Sequence, residues 1–289
     1  MSEDTVHPSH HLKIVPADCA GNGGIGRYFL LPGSPGRARQ IAEMFDEVTR
    51  EIITPRHNDT YLGRIRGADG QPIEVAATST GMGPGSTEIT AVELIQNGAR
   101  RLIRVGTSGS VQFETVRIGS LVIATGAVRD ELASQHYVAL EYPAVAHPDT
   151  VLAAERAAFV MGLAERTYKG IVHTKASLFA RAIFLGPRRE QNLAYKEELI
   201  RARVLSSEME ASVLFVVAQT LSAASPSLAE ERGGQADVIK AGTLLGIIGG
   251  EDAWGTDEEI ARIEVENCRF ALETIRQLHL IDTRGGGPC

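Results

Sequence analysis

Two arginines beside glycine-rich turns and two carboxylates flanking a methionine are the features of this sequence that ask for chemistry. In Gly33-Ser34-Pro35-Gly36-Arg37 an apolar run leads into a turn where Ser34 suits a helix N-cap and Pro35 the first helical position. Free amides at such a helix start can bind an anion. Arg37 in the first turn opposes the helix dipole by roughly 0.3–1 kcal/mol unless something negative sits nearby. A bound phosphate resolves that conflict, and an exposed arginine on an ordinary turn explains the residues equally well. Arg104 lies inside Leu102-Ile103-Arg104-Val105, which reads as a buried strand, and a buried guanidinium is costly unless paired. Its partner is either a bound anion, helped by the amides and hydroxyls of Gly106-Thr107-Ser108-Gly109, or a structural carboxylate. Glu208-Met209-Glu210 precedes a helical apolar run, and its two carboxylates can accept hydrogen bonds from a pair of sugar hydroxyls. Ser207 and Glu210 also have capping-box spacing, and on these residues alone the cap is the favoured reading.

Two other patterns fail on context. Gly21-Asn22-Gly23-Gly24-Ile25-Gly26 matches the dinucleotide fingerprint, but that motif needs a strand before it and a helix after it, and here the strand-like Tyr28 to Leu31 comes after. Gly106-Thr107-Ser108-Gly109-Ser110 lacks the G-x-S-x-G spacing of a nucleophile elbow. Cys19, Cys268 and Cys289 have neither metal-ligand spacing nor an even count for a disulfide framework, so no metal is expected.

The elements that must position these residues alternate between apolar runs and segments of helical period. Tyr28 to Leu31 is followed by Gly36 to Phe45, and Ile73 to Ala77 by Thr87 to Gln96. Leu102 to Val105 and Leu121 to Thr125 read as further strands. Helices are expected at Thr150 to Met161, Glu190 to Ala202 and Met209 to Gln219, then a strand at Thr243 to Ile248 and a closing helix from about Asp257 to Leu278. This order predicts an α/β fold. The chain divides into an N-terminal arm over 1–26, one domain over 27–280 and a flexible tail over 281–289, with Ser222 to Asp237 as an exposed connection.

At 289 residues and 43% hydrophobic content the chain can bury a substantial core. Its net charge of -7 gives no basic face for nucleic acid. The opening residues carry no apolar signal segment and no run is long enough to span a membrane, so the expected setting is the cytoplasm.

Taken together, four stretches resemble the first nucleoside phosphorylase family, and most closely its uridine phosphorylase branch. LPGSPGRARQIA resembles the family's phosphate turn, and STGMGPGSTEITAVELIQNGARRLIRVGTSGSVQ its longest signature. VRDELASQHYVALEYPAVA resembles the segment that follows, and SSEMEASVLF the ribose motif. The resemblance implies a three-layer α/β/α domain with a central mixed sheet. It implies a homo-oligomer, a hexamer built from dimers, that needs no cofactor and uses inorganic phosphate as co-substrate with a nucleoside. Gly33, Arg37, Arg104 and Thr107 fall on phosphate positions, and Arg56 on a phosphate arginine donated by the neighbouring subunit. Glu208, Met209 and Glu210 fall on ribose positions, Thr107 beside them, and His11 on a histidine that reaches the neighbour's site. Ser108, Gly109 and Phe179 fall on base positions, and Arg104 and Glu210 are the expected catalytic pair.

The base end departs from that branch. Where uridine phosphorylases place a Gln and an Arg four and six residues after the phenylalanine matched by Phe179, this chain has Ile183 and Leu185. Arg181, Arg188, Arg189 and Gln191 are nearby substitutes. Glu251 or Asp252 approximates the purine branch's aspartate, and His57 stands where some relatives hold a monovalent cation with a glutamate. A purine nucleoside phosphorylase, a nucleosidase of the same fold and an inactive nucleoside-binding protein therefore remain alternatives.

Overall fold

A computed structural model describes residues 9–223, 238–250 and 253–284. At its centre, β1 (Tyr28–Pro32) is buried along its whole length, which is why the sequence there is continuously apolar. Side chains alternate across the strand. Tyr28 and Leu30 join one core, with residues of α2 (Pro35–Ala42), α4 (Pro148–Val160) and α8 (Asp257–Arg284). Phe29 and Leu31 join the other, with α3 (Pro84–Gln96) and α7 (Ala211–Ala223). These are the three expected layers.

The sheet is mixed. Strand β1 runs parallel to β4 (Pro72–Thr78) on one side and to β5 (Arg101–Ser110) on the other. Antiparallel β3 (Thr60–Arg66) and β2 (Glu47–Ile52) extend it beyond β4. On the other side the sheet closes on itself. Strand β5 pairs with β10 (Lys240–Gly250), β10 with β6 (Leu121–Asp130), and β6 with β8 (Thr167–Lys175). Strand β8 then pairs with β9 (Ser206–Glu208), and β9 returns antiparallel to β5. Short β7 (Ala144–Val145) and β11 (Ala253–Trp254) attach to β6 and β10. One edge of β5 is bonded to β1 as far as Val105 and to β9 from Gly109, so strand pairing on that edge is interrupted at residues 106–108.

From Ser9 onward the N-terminal arm is packed against the domain. Leu12 and Ile14 are buried in the α3/α7 core, and residues Pro16–Cys19 form α1. Glu93 on α3 anchors it, accepting from the Ser9 hydroxyl at 2.8 Å, the His11 and Leu12 amides at 3.0 and 2.9 Å, and the His11 ring at 2.6 Å. Burial alone would push the Glu93 carboxyl up, but these hydrogen bonds outweigh it and hold the group at about 2, down from 4.5. A depressed carboxylate stabilises the fold fully above its unfolded value and loses that contribution as pH falls toward the folded one. The melting-temperature gap between the wild type and Glu93→Gln is therefore expected to be full at pH 6 and to shrink between about 4.5 and 2. A gap that stays constant across that window contradicts the anchoring.

The glycine-rich segment from Gly21 to Gly26 forms a 3-10 turn at Asn22–Gly24 that feeds into β1, as its sequence order required. Residues 281–284, placed in the tail by sequence, are the last turn of α8, and 285–289 lie outside the described residues. So do residues 224–237 of the expected connection, whose Ser222 is still within α7. Among the described residues no helix is long and apolar enough to cross a membrane.

Candidate active site

A cavity of about 350 Å³ opens beside the interrupted edge of β5. The β1–α2 turn forms one wall. Ser34 accepts the Arg37 amide at 3.2 Å as the N-cap and Pro35 occupies the first turn, so α2 starts where the sequence placed it. Gly33, Ser34 and Arg37 all face the cavity. Arg37 is ion-paired through Nη2 to Glu264 of α8, while its Nε is buried with no partner among the described residues.

Arg104 projects from β5 into the same cavity and is 5% exposed. Its Nε donates to Glu208 Oε2 at 3.1 Å and its Nη2 to Glu210 Oε2, while Nη1 is buried without a described partner. The structural-carboxylate reading of this arginine holds for two of its nitrogens. Gly106 is needed for this pose. A Cβ there would sit 2.9 Å from Arg104 Nη2 and 3.0 Å from Leu245 Cδ2.

The two glutamates divide roles in a way the sequence did not predict. Ser207 and Glu210 do not form a capping box, because Ser207 lies in β9 and α7 begins at Ala211. Glu208 takes the capping role instead, accepting the Glu210 amide at 2.8 Å and the Ala211 amide at 3.0 Å. With Arg104 and the Thr174 hydroxyl (2.5 Å) also on it, its carboxylate is fully engaged, and it does not offer the free acceptor expected of a sugar ligand. Glu210 reaches across to the β4–α3 turn, where the Gly83 amide donates to Oε1 at 2.7 Å. Gly83 can hold that pose because its φ of 87° is a glycine conformation. Burial pushes the Glu210 carboxyl above its ordinary range, opposed by Arg104 and reinforced by Glu208.

Thr107, Ser108, Gly109 and Met209 line the cavity as well, and the Ser108 hydroxyl is buried without a described partner. Phe179 does not. It stands 63% exposed on α5 (Leu178–Ala182), outside the lining, and Phe113 and Phe184 are the phenylalanines at the cavity. Ile183 touches the cavity and Leu185 does not; Arg188, Arg189 and Gln191 are exposed away from it. Of the suggested substitutes only Arg181 lines it, donating to Asp130 Oδ1 at 2.6 Å and Asn192 Oδ1 at 2.9 Å and stacking 4.2 Å over the Tyr195 ring. Glu251 and Asp252 lie outside the described residues. Arg56 is exposed on the β2–β3 loop and His11 is held by Glu93, and neither lines the cavity of its own chain.

Sequence reasoning missed strand β8 and the cavity-facing residues of α6 (Arg189–Arg201). There His173 and Lys175 are 3% and 4% exposed yet line the cavity, with Asn192, Tyr195 and Lys196 of α6 beside them. The signal was their spacing: two residues apart on a strand, they share a face. Among the described residues no three His, Cys, Asp or Glu side chains gather as a metal ion would need.

Comparison with known proteins adds a lineage to this geometry. Residues 27–226 match the family model described as the phosphorylase superfamily. Among curated relatives, a uridine phosphorylase of Thermococcus kodakarensis is 39% identical over 214 residues, covering 72% of this chain and 71% of the relative. A uridine phosphorylase of Treponema pallidum is 33% identical over 279 residues, 93% of each chain. A guanosine phosphorylase of Halorubrum lacusprofundi is 30% identical over 197 residues, 68% of this chain and 74% of the relative.

Proposed function

This chain belongs to the phosphorylase superfamily, and from that premise we propose that it cleaves the N-glycosidic bond of a nucleoside with inorganic phosphate, releasing free base and (deoxy)ribose 1-phosphate. The observation that carries the reading is that Arg37 and Arg104 line one cavity and each keeps a buried N–H group, Nε and Nη1, without a described partner. Buried donors left unmatched cost about 1–3 kcal/mol each, and an anion between them removes that cost. At ~4 Å and an effective dielectric constant of ~20, a unit charge pair gains about 4 kcal/mol. That exceeds the roughly 0.3–1 kcal/mol of a helix end, but Glu264 already offsets Arg37 and Glu208 and Glu210 offset Arg104, so the arginines and the α2 amides share the anion.

With phosphate there, Thr107 adds a hydroxyl, and Glu210 and Met209 hold the sugar, the carboxylate accepting from its hydroxyls. The glycosidic bond loosens toward an oxocarbenium-like state, and the phosphate captures C1′. The protein contributes orientation and fixed charge and requires no cofactor. Arg56 and His11 lie off their own cavity, which supports an assembly in which each copy lends them to a neighbour. We place the enzyme in the cytoplasm as a homo-oligomer.

Uridine is the first substrate to try, on the strength of the uridine phosphorylases among the relatives. A purine nucleoside is the second reading, favoured by the guanosine phosphorylase. Release of base from uridine, thymidine, inosine and guanosine, each with and without phosphate, tests both. Undiminished release without phosphate would make the enzyme a nucleosidase, and binding without release in any condition would make it a nucleoside-binding protein.

Because Gly106 clears room for the Arg104 guanidinium, Gly106→Ala is expected to raise the phosphate KM about tenfold. The overpacking itself costs about 1–3 kcal/mol of stability. Phosphate saturation curves check the first effect and urea unfolding the second; an unchanged KM contradicts the proposed role of the Arg104 pose.

A further inference from the structure

Lys175 is 4% exposed and lines the cavity, yet its hydrogen-bond acceptors are neutral: Ser207 Oγ at 2.9 Å and the Glu208 carbonyl at 3.4 Å. Among the described residues it makes no ion pair. A buried ammonium without a carboxylate partner is an expensive feature, and its third N–H has no described acceptor. The site reading above leaves this group without a task.

Its surroundings fix its orientation. Ser207 Oγ accepts from Lys175, so its single proton goes to His173 Nδ1 at 2.9 Å. His173 Nε2–H then donates to Asp130 Oδ2 at 3.0 Å, and Asp130 Oδ1 accepts from Arg181. From Ser207 to Asp130 each donor of this chain meets an acceptor. The chain also has a defined place. Ser207 pairs with Gly109 of β5 on one side and His173 of β8 on the other. Along that edge of β5, β1 ends where Pro32 pairs with Val105, just before the Arg37 turn, whereas Ser207 pairs with Gly109, four residues farther on. The residue that anchors the ammonium is therefore displaced along β5 from the anion-binding turn.

We propose that Lys175 is a catalytic residue that donates a proton to the departing base, with Ser207, His173 and Asp130 as its positioning residues. The proposal rests on the phosphorolysis reading. As the C1′–N bond breaks, its electron pair passes to the base, and Lys175 Nζ–H gives its proton to the ring nitrogen or carbonyl oxygen that carries it. A phosphate oxygen bonds to C1′, and the neutral amine regains a proton from the phosphate monoester through solvent. Burial lowers the Lys175 pKa toward this task, with Glu208, Glu210 and Asp130 opposing and Arg104 assisting. Those groups, with Ser207 and His173, are the polar neighbours that set its titration.

The test uses the full-length enzyme and ribonucleosides whose bases differ in acidity: 5-methyluridine, uridine, 5-fluorouridine and 5-nitrouridine. Lys175→Gln is expected to lower kcat on uridine about a hundredfold or more. On 5-nitrouridine, whose base leaves without protonation, the loss is expected to be under tenfold. The alkaline limb of the wild-type kcat profile is expected to vanish in the variant. An equal loss on every base, with the limb unmoved, overturns the proposal. Should Lys175→Gln fail to fold, His173→Gln serves: it frees Ser207 to rotate and is expected to shift the alkaline limb, and an unshifted limb counts against the chain. Wild-type enzyme that releases no base with phosphate removes the underlying reading, and this inference with it, before any variant is made.

Discussion

Arg104→Met is expected to lower kcat/KM for phosphorolysis by about 10²–10³ and to abolish saturation by phosphate in the accessible range. Preorganised charge at a reacting anion contributes on that scale. The same change leaves the Glu208 and Glu210 carboxylates buried side by side without the cation that separates them. Removing one partner from such a buried set costs about 3–5 kcal/mol, so a lower unfolding free energy should accompany the kinetic loss. Its pH dependence has a definite sign. Burial already raises the Glu210 pKa, and without Arg104 it rises further. A carboxyl whose folded pKa lies above its unfolded one destabilises at high pH and recovers as pH falls through the folded value. Urea unfolding at pH 8 and pH 5 should therefore show the variant gaining on the wild type at the lower pH. Arg104→Lys keeps the charge without the fork and is expected to fall between. Unchanged phosphate saturation in either variant would remove Arg104 from the anion site.

Glu210→Gln is expected to impair recognition of the sugar while preserving the turn that supports it. A glutamine Oε1 can still accept the Gly83 amide, so the β4–α3 junction keeps its hydrogen bond. What disappears is the Oε2 acceptor of Arg104 Nη2 and of the Met209 amide, and with it a charged acceptor for the ribose hydroxyls worth about 1.5–3 kcal/mol, or roughly 10- to 150-fold in kcat/KM. Comparing uridine with its 2′-deoxy and 3′-deoxy forms isolates this contact. The wild type should discriminate against the missing hydroxyl and the variant should discriminate less. Discrimination that persists in the variant while only its melting temperature falls would make Glu210 a structural link between Gly83 and Arg104.

The sequence exposed the parts of this fold that are buried on both faces and hid those that are not. Strands β1 and β4 and helices α3 and α4 stand within a few residues of their expected positions because their apolar residues are buried in the core. Strand β2, with a single buried residue, carries Glu47, Arg50 and Glu51 and offered no apolar signal. Strand β5 was read as ending at Val105, yet it continues to Ser110 through glycine and hydroxyl residues that face the cavity. Strand β8 was hidden for the same reason, since His173 and Lys175 interrupt its pattern in order to line the site. Such local departures are where function overrides packing. The closed ring of strands depends on three-residue β9, too short to show any period.

The site was legible to a similar degree. Gly33, Arg37, Arg104, Thr107 and Glu210 do meet at one cavity. The roles of Ser207, Glu208 and Glu210 were not readable, because S-x-x-E spacing fits either a cap or a ligand and only the start of α7 at Ala211 decides. Phe179 was carried to a base position by the family resemblance, and the turn after α5, where Phe184 adopts a φ of 57°, brings Phe184 rather than Phe179 to the cavity.

The most direct test of the central claim is phosphorus NMR of the enzyme turning over uridine in phosphate buffer. Growth of a sugar 1-phosphate signal equal in amount to the uracil released is the predicted result. Uracil released with no new phosphate ester would show that water, not phosphate, attacks C1′, and would contradict the account.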